Sequence, residues 1–156
     1  INCMKKSRSN AIMHIGFENG NVELYSPNQN EGALVQIKAM REPIMSLAIT
    51  DDGKYLATAG TRKNLHIYDL RNAYKPVYQH KMPYSGATNL TFSQTNLLAA
   101  TYNSTNHVNT YKDVLTKHNP GMYVNFKAPD NLQSVDFCHE ILFRNFCDLR
   151  SSLQND

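Results

Sequence analysis

The chain has no tryptophan, three cysteines among 156 residues, and no apolar run longer than a few residues. Each scarcity excludes something. A helix that crosses a bilayer needs about 20 consecutive apolar residues, and none is present. Cys3, Cys138 and Cys147 form an odd, sparse set. That argues against a disulfide framework and fits a reducing compartment. The seven glycines, from Gly16 to Gly121, never gather into a phosphate-cradling loop ahead of a helix. Neither sign of charge dominates, since the formal net charge is only +3 with a pI of about 8.7. A dedicated nucleic-acid binder concentrates charge on one face, and this balance does not by itself indicate one. The 41% apolar content and a mean hydropathy of −0.51 suit a soluble chain with one ordinary core. The first residue is Ile1, so the lack of a leader segment carries little information.

Catalytic and metal-binding patterns are scarce as well. Asp51 and Asp52 precede Gly53 and read as a solvated turn. Cys138-His139 with Cys147 lacks a fourth ligand at zinc spacing. The six histidines are scattered, and none has a nucleophile and orienting acid near it in sequence. The expectation is a protein that is not an enzyme and uses no metal or cofactor. Two glycosylation tripeptides, Asn89-Leu90-Thr91 and Asn103-Ser104-Thr105, are of the kind that chance supplies.

What is present is a repeat. Tyr25, Tyr68 and Tyr111 recur every 43 residues, each closing a short alternating run: Val22–Tyr25, Leu65–Tyr68 and Val108–Tyr111. Leu47 and Ile49 map onto Leu90 and Phe92 at the same offset, and Ala57-Thr58 maps onto Ala100-Thr101. A period near 43 with four short strands per unit is the size of a WD blade. One blade reads as an outer strand at Ala33–Ala39, an inner strand at Ile44–Thr50, a turn with Gly53, then strands Tyr55–Gly60 and Leu65–Asp69. The next uses Val77–Lys81, Ala87–Ser93, Leu97–Tyr102 and His107–Tyr111. Tyr123–Ala128 and Leu132–Phe137 begin another, and Ala11–Phe17 with Val22–Ser26 end an earlier one. Tyr68-Asp69 occupies the place of the Trp-Asp dipeptide, with a broad ring to pack between blades. The Gly-His usual before the inner strand is absent, replaced by Ala39-Met40 and Tyr84-Ser85. Packing is expected to dominate over a buried His-Asp pair.

The fold class is therefore all-β, a WD-repeat β-propeller of about three and a half blades from a ring of about seven. Residues 1–10 form a basic N-terminal segment and 11–138 the blades. Residues 139–156 are a divergent tail, open between a helix, since Leu142, Phe146, Leu149 and Leu153 fall at helical spacing, and a divergent strand. The remaining blades are expected from sequence outside this span or from another chain, because an open stack leaves strand edges unpaired.

Asn10–Pro27, Gly53–Arg71 and Thr91–Asp113 carry a closer resemblance. The phrases His14-Ile15-Gly16, Asn19-Gly20, Ser26-Pro27, Ala57-Thr58-Ala59-Gly60, Asp69-Leu70-Arg71 and Phe92-Ser93-Gln94 are similar to those of the WD-repeat family of the small-subunit processome. That complex, built on the U-three small nucleolar RNA, matures pre-18S ribosomal RNA. The resemblance covers residues of about 10–113 and implies a nucleolar scaffold in ribosome biogenesis, without catalytic residues. Its partners would be other processome assembly proteins and pre-ribosomal or small nucleolar RNA. A generic WD-repeat adaptor for a ubiquitin ligase or chromatin complex is the alternative.

Propellers bind through rim loops. Arg41, Arg62 and Lys63 should meet on one rim of one blade, a cationic patch suited to phosphate or an acidic peptide. Lys5, Lys6 and Arg8 form a second basic group that could touch RNA phosphates. Tyr84 is the one clear aromatic rim residue. Ordinary solvated surface charge is the competing reading of both basic groups.

Overall fold

In the computed structural model, the described residues are 1–29, 32–117, 120–129, 134–138 and 141–145. They form antiparallel sheets in which consecutive strands pair. The first holds β1 (Cys3–Lys6), β2 (Met13–Gly16), β3 (Asn21–Tyr25) and β4 (Val35–Lys38). The second holds β5 (Ile44–Ile49), β6 (Tyr55–Gly60), β7 (Asn64–Asp69) and β8 (Lys75–Lys81). The third holds β9 (Ala87–Phe92), β10 (Leu98–Tyr102), β11 (Thr105–Tyr111) and β12 (Met122–Lys127). A two-stranded sheet, β13 (Ser134–Cys138) and β14 (Ile141–Asn145), follows. Strands β1, β5, β9 and β13 are innermost and pack side by side. Strands β4, β8 and β12 form the periphery and are correspondingly exposed.

The outer strands change blade: β4 pairs with β3 and β8 with β7, so each closes the sheet before it and not the blade of the following inner strand to which the sequence assigned it, because ladder bonds form with the strand just left. Two boundaries also move from their sequence positions. The basic segment 1–10 contains β1, which pairs with β2 from Cys3↔Gly16 to Lys6↔Met13, so the first blade has four strands. Four residues carrying two lysines give too weak an alternation to be read as a strand alone. In the tail, residues 141–145 are strand β14, paired with β13, and not the start of a helix. Ladder bonds to β13 override a spacing that rested on a few leucines. Residues 146–156 lie outside the described residues.

The 43-residue offset holds for β5 and β9 but slips in the neighbouring strand. Leu47 faces Thr58, while Leu90 faces Ala100, so Thr58 corresponds to Ala100 and not to Thr101. The turn is shorter by one residue: the Thr50 N–H reaches the Tyr55 carbonyl, whereas the Ser93 N–H reaches that of Leu97. The connection from β10 to β11 is longer by one, and β11 regains the offset: Thr58 faces His66, and Ala100 faces Asn109.

Between sheets, large side chains meet small ones. Leu47, Leu56 and Tyr68 of the second sheet are buried against Val22 and Leu24 of the first. Leu90, Leu98 and Tyr111 of the third are buried against Ala57, Ala59, Leu65 and Ile67 of the second. Each fully buried Leu contributes on the order of 2 kcal/mol. The small residues of β6 let the next blade approach, and Gly16 does the same in β2. A Cβ at Gly16 would lie 2.7 Å from both the Cys3 sulfur and Ile44 Cγ2. Inner strands are also tied by side chains. Asn2 Nδ2 donates to the Ile44 carbonyl at 3.1 Å, Ser46 Oγ to that of Ala87 at 2.9 Å, and Asn89 Nδ2 to that of Val135 at 2.7 Å. The first glycosylation tripeptide is thus part of an inner strand.

His14 is the misfit of this core. It is 1% exposed and shares a sheet face with Leu24, its cross-strand neighbour. Neither ring nitrogen has a partner among the described residues. Burial pushes its pKa down to about 4, with the Ile12 backbone opposing. Unfolding frees the imidazole to bind a proton near pH 6.5, so stability falls as pH drops from about 6.5 toward 4. The loss should reach about 3 kcal/mol by pH 4. His14→Leu is expected to remove most of that slope in urea denaturation measured at a series of pH values. An unchanged slope would show that the ring is solvated.

The β7–β8 hairpin turns through Ala73 (φ 50°) and Tyr74 (φ 56°), with the Lys75 N–H bonded to the Asn72 carbonyl at 3.1 Å. Asp69 faces Lys75, so the connection spans five residues, and its closing turn Asn72–Lys75 holds two consecutive left-handed residues of which neither is glycine. Tyr74 repays its strain by packing on the core, but Ala73 does not. Ala73→Gly should therefore raise stability by about 0.5–1 kcal/mol, read as an increased urea midpoint at constant slope.

Candidate interaction surface

The four inner strands run in the same sense, which gives the stack two distinct rims. The entry rim carries the connections β2–β3, β4–β5, β6–β7 and β8–β9, from which inner strands start. The exit rim carries β1–β2, β3–β4, β5–β6 and β7–β8.

Arg41 and Arg62 meet on the entry rim, as the repeat predicts. Both line an open groove of about 670 Å³ between the first two blades, together with Lys38, Glu42, His66 and Gln79. Lys63 is exposed beside Arg62 but is not part of the groove wall. The floor is Ala39 and Met40, 5% and 3% exposed, in the position of the missing Gly-His pair.

Glu42 organises the groove, and sequence reasoning assigned it no such role. Its carboxylate accepts from Thr61 Oγ1 at 3.0 Å, the Arg62 N–H at 2.7 Å and Asn64 Nδ2 at 3.0 Å. It lies 4.0 Å from Arg62 Nε. One carboxylate, with a side chain 9% exposed, thus ties the β4–β5 connection to the β6–β7 turn. The only sequence signal was an acid just ahead of an inner strand. Nearby, the Tyr68 hydroxyl donates to the Ala39 carbonyl, and His66 Nδ1 lies 3.1 Å from the same oxygen. Burial lowers the His66 pKa, with the Ala39 hydrogen bond and the Glu42 charge opposing. Packing and a polar clamp therefore share the work at this junction.

Lys5, Lys6 and Arg8 lie elsewhere. Lys5 and Lys6 belong to β1, and Arg8 pairs with Asp51 at 3.1 Å on the exit rim. The three line a small pocket of about 80 Å³ with Thr91, Ser93 and Asp136. The two basic groups of the sequence thus serve opposite rims.

One aromatic group was only half legible. Tyr84, in the β8–β9 connection, stacks on His107 with ring centroids 5.4 Å apart and planes 17° from parallel. Tyr102 meets Tyr84 edge-on at 5.3 Å, and His107 Nδ1 is 2.8 Å from Asn125 Oδ1. Tyr84 stood out in the sequence as a rim aromatic, whereas His107 read as one more strand histidine. No group of three or more potential metal ligands occurs among the described residues.

Four-stranded antiparallel sheets repeating at 43 residues, packed through their faces around shared inner strands, define a WD-repeat β-propeller. Solved propellers superpose on the chain. The structure of U3-55K matches with a TM-score of 0.74 at 17% identity, covering 87% of this chain and 42% of that one. The Myceliophteria thermophila Cps50 (Swd1) β-propeller domain matches with a TM-score of 0.64 at 16% identity, covering 80% and 38%. No family model matches the chain. U3 small nucleolar RNA-associated protein 7 of Saccharomyces cerevisiae is 38% identical over 112 residues, covering 72% of this chain and 20% of that protein. WD repeat-containing protein 46 of Homo sapiens is 38% identical over 100 residues, covering 64% and 16%. The chain is homologous to these U3 small nucleolar RNA-associated WD-repeat proteins, and it spans about a fifth or less of their length.

Glu42→Ala would leave the Arg62 N–H and the Asn64 amide without their acceptor. It should cost about 2 kcal/mol of stability. Glu42→Gln should cost less, because one amide oxygen still accepts. Equal urea midpoints for Glu42→Ala and the parent would show that the clamp contributes nothing.

Proposed function

We propose that the chain is part of the propeller of a non-catalytic scaffold in ribosome biogenesis, working in the small-subunit processome during pre-18S rRNA processing. The observation that carries this reading is the 38% identity to a U3 small nucleolar RNA-associated protein across 72% of the chain. The fold is consistent with it, since rigid sheets present two loop-bearing rims to different partners at once. The partners are other processome assembly proteins, and pre-ribosomal or small nucleolar RNA. The setting is the nucleolus. Remaining blades, from further sequence or another chain, cover the outer sheet faces and complete the ring. Contacts to RNA or protein fall to Arg41, Arg62 and Lys63 on one rim and Lys5, Lys6 and Arg8 on the other.

The test is a pull-down of the tagged full-length protein from cells, with RNA sequencing and protein identification on the same eluate. Enrichment of pre-18S precursors with small nucleolar RNA is the expected result. Recovery of ubiquitin-ligase or chromatin subunits without RNA would overturn the processome reading in favour of a generic adaptor, leaving the fold untouched.

A further inference from the structure

Charge is arranged differently on the two rims. On the exit rim, four aspartates each hold a base: Asp51 with Arg8 at 3.1 Å, Asp52 with Lys54 at 2.9 Å, Asp69 with Arg71 at 3.4 Å, and Asp113 with Lys117 at 2.9 Å, while Lys5, Lys6, Lys75 and Lys112 there have no carboxylate within 4.0 Å among the described residues. On the entry rim, Lys38, Arg41, Arg62, Lys63, Lys81 and Lys127 are all exposed. The described acids there are Glu18 and Glu42, and Glu42 is engaged in its clamp. Among the described residues, only Arg62 of these six cations has a carboxylate within 4.0 Å. Unpaired cations keep their full attraction for a polyanion, whereas matched pairs largely cancel.

The same rim offers rings. Tyr84 lies 43 residues after Arg41, at the equivalent place in the next connection. The two junctions therefore stand side by side, one lined by cations and one capped by the Tyr84–His107 stack. Tyr102 beneath and Asn125 beside hold that pair in place before any ligand arrives. Both Tyr84 and His107 remain partly exposed.

We propose that the entry rim binds single-stranded nucleic acid, with the Arg41–Arg62 groove taking backbone phosphates and the Tyr84–His107 stack receiving a base. Cations next to a preordered aromatic surface are the two elements that an unpaired strand requires. A duplex shields its base faces, and an acidic peptide would use the cations but not the rings. The proposal rests on the ribosome-biogenesis reading only for RNA being the cellular strand. Its chemistry stands on the rim alone.

The test uses the intact protein and a fluorescein-labelled oligouridylate of about 12 nucleotides, followed by anisotropy across a salt series. Arg41→Ala with Arg62→Ala should weaken binding about tenfold or more and lower the salt slope by about 1.4, two phosphates at about 0.7 each. Tyr84→Ala should weaken binding about tenfold with the slope unchanged, and Tyr84→Phe should restore it. Lys117→Ala on the exit rim should stay within about twofold of the parent. Thermal melts of every variant separate lost binding from lost fold. The proposal fails if folded Tyr84→Ala binds oligouridylate like the parent, which leaves only attraction between phosphates and cations with no base received by the ring. It also fails if the parent does not bind the oligonucleotide at physiological salt. Oligonucleotide binding that survives a pull-down without pre-18S RNA supports the inference and removes only the processome reading.

Discussion

The structure depends on the fit of large against small side chains between consecutive sheets. Each interior blade presents Leu47, Leu56 and Tyr68, or Leu90, Leu98 and Tyr111, toward its predecessor. The predecessor answers with glycine, alanine and branched residues on its second and third strands. Interiors pack to the density of organic crystals, so such a layer tolerates little change of volume. The spacing of 43 residues is the sequence trace of this requirement, because the same steric problem recurs at each junction. Gly16 and His14 show its two limits. The glycine is fixed by its neighbours' approach, and the histidine fills a place that alanine fills in the other blades, at the cost of two unpartnered nitrogens.

Tyrosine in the tryptophan position alters how a blade is closed. Its ring fills the interblade space, and its hydroxyl must find a partner once buried. Tyr68 finds the Ala39 carbonyl in the β4–β5 connection, and Tyr111 finds Tyr102. Glu42 supplies the second tie, from that same connection to the β6–β7 turn. The blade thus replaces a histidine-based network with a hydroxyl and a carboxylate acting at the rim. The stabilising contact and the candidate binding surface are built from the same loops.

The exit rim shows the complementary arrangement. Its turns carry aspartates, which stabilise tight turns through their own backbone contacts, as Asp52 does toward the Lys54 N–H at 3.0 Å. Those aspartates stand near lysines and arginines and pair with them. The entry-rim β2–β3 turn uses a neutral residue for the same backbone contact, with Asn19 Oδ1 accepting from the Asn21 N–H at 3.0 Å, so the aspartates collect on the exit rim. A surface property therefore follows from where the fold needs turns of a given type.

The repeat, the order of strands along the chain and the burial of Tyr68 and Tyr111 were legible in the sequence because interblade packing imposes a period on apolar residues, whereas Tyr25 at the same spacing is only half-buried and the outer strands belong to the preceding sheet. Arg41 and Arg62 could be brought together for the same reason, since a fixed offset locates both loops on one rim. What the spacing could not supply was anything that depends on a single contact. The slip of Thr58 onto Ala100 comes from a turn shortened by one residue and a connection lengthened by one, which leave the overall period unchanged. The pairing of β1 and of β14 rests on ladder bonds to β2 and β13, and short strands carry too little pattern to announce themselves. Glu42 and His107 became functional candidates only through neighbours 20 and 23 residues away in sequence, Arg62 and Tyr84. Periodicity is a property of the chain and is written in it, whereas a clamp or a ring stack exists only once tertiary structure has set its members a few ångströms apart.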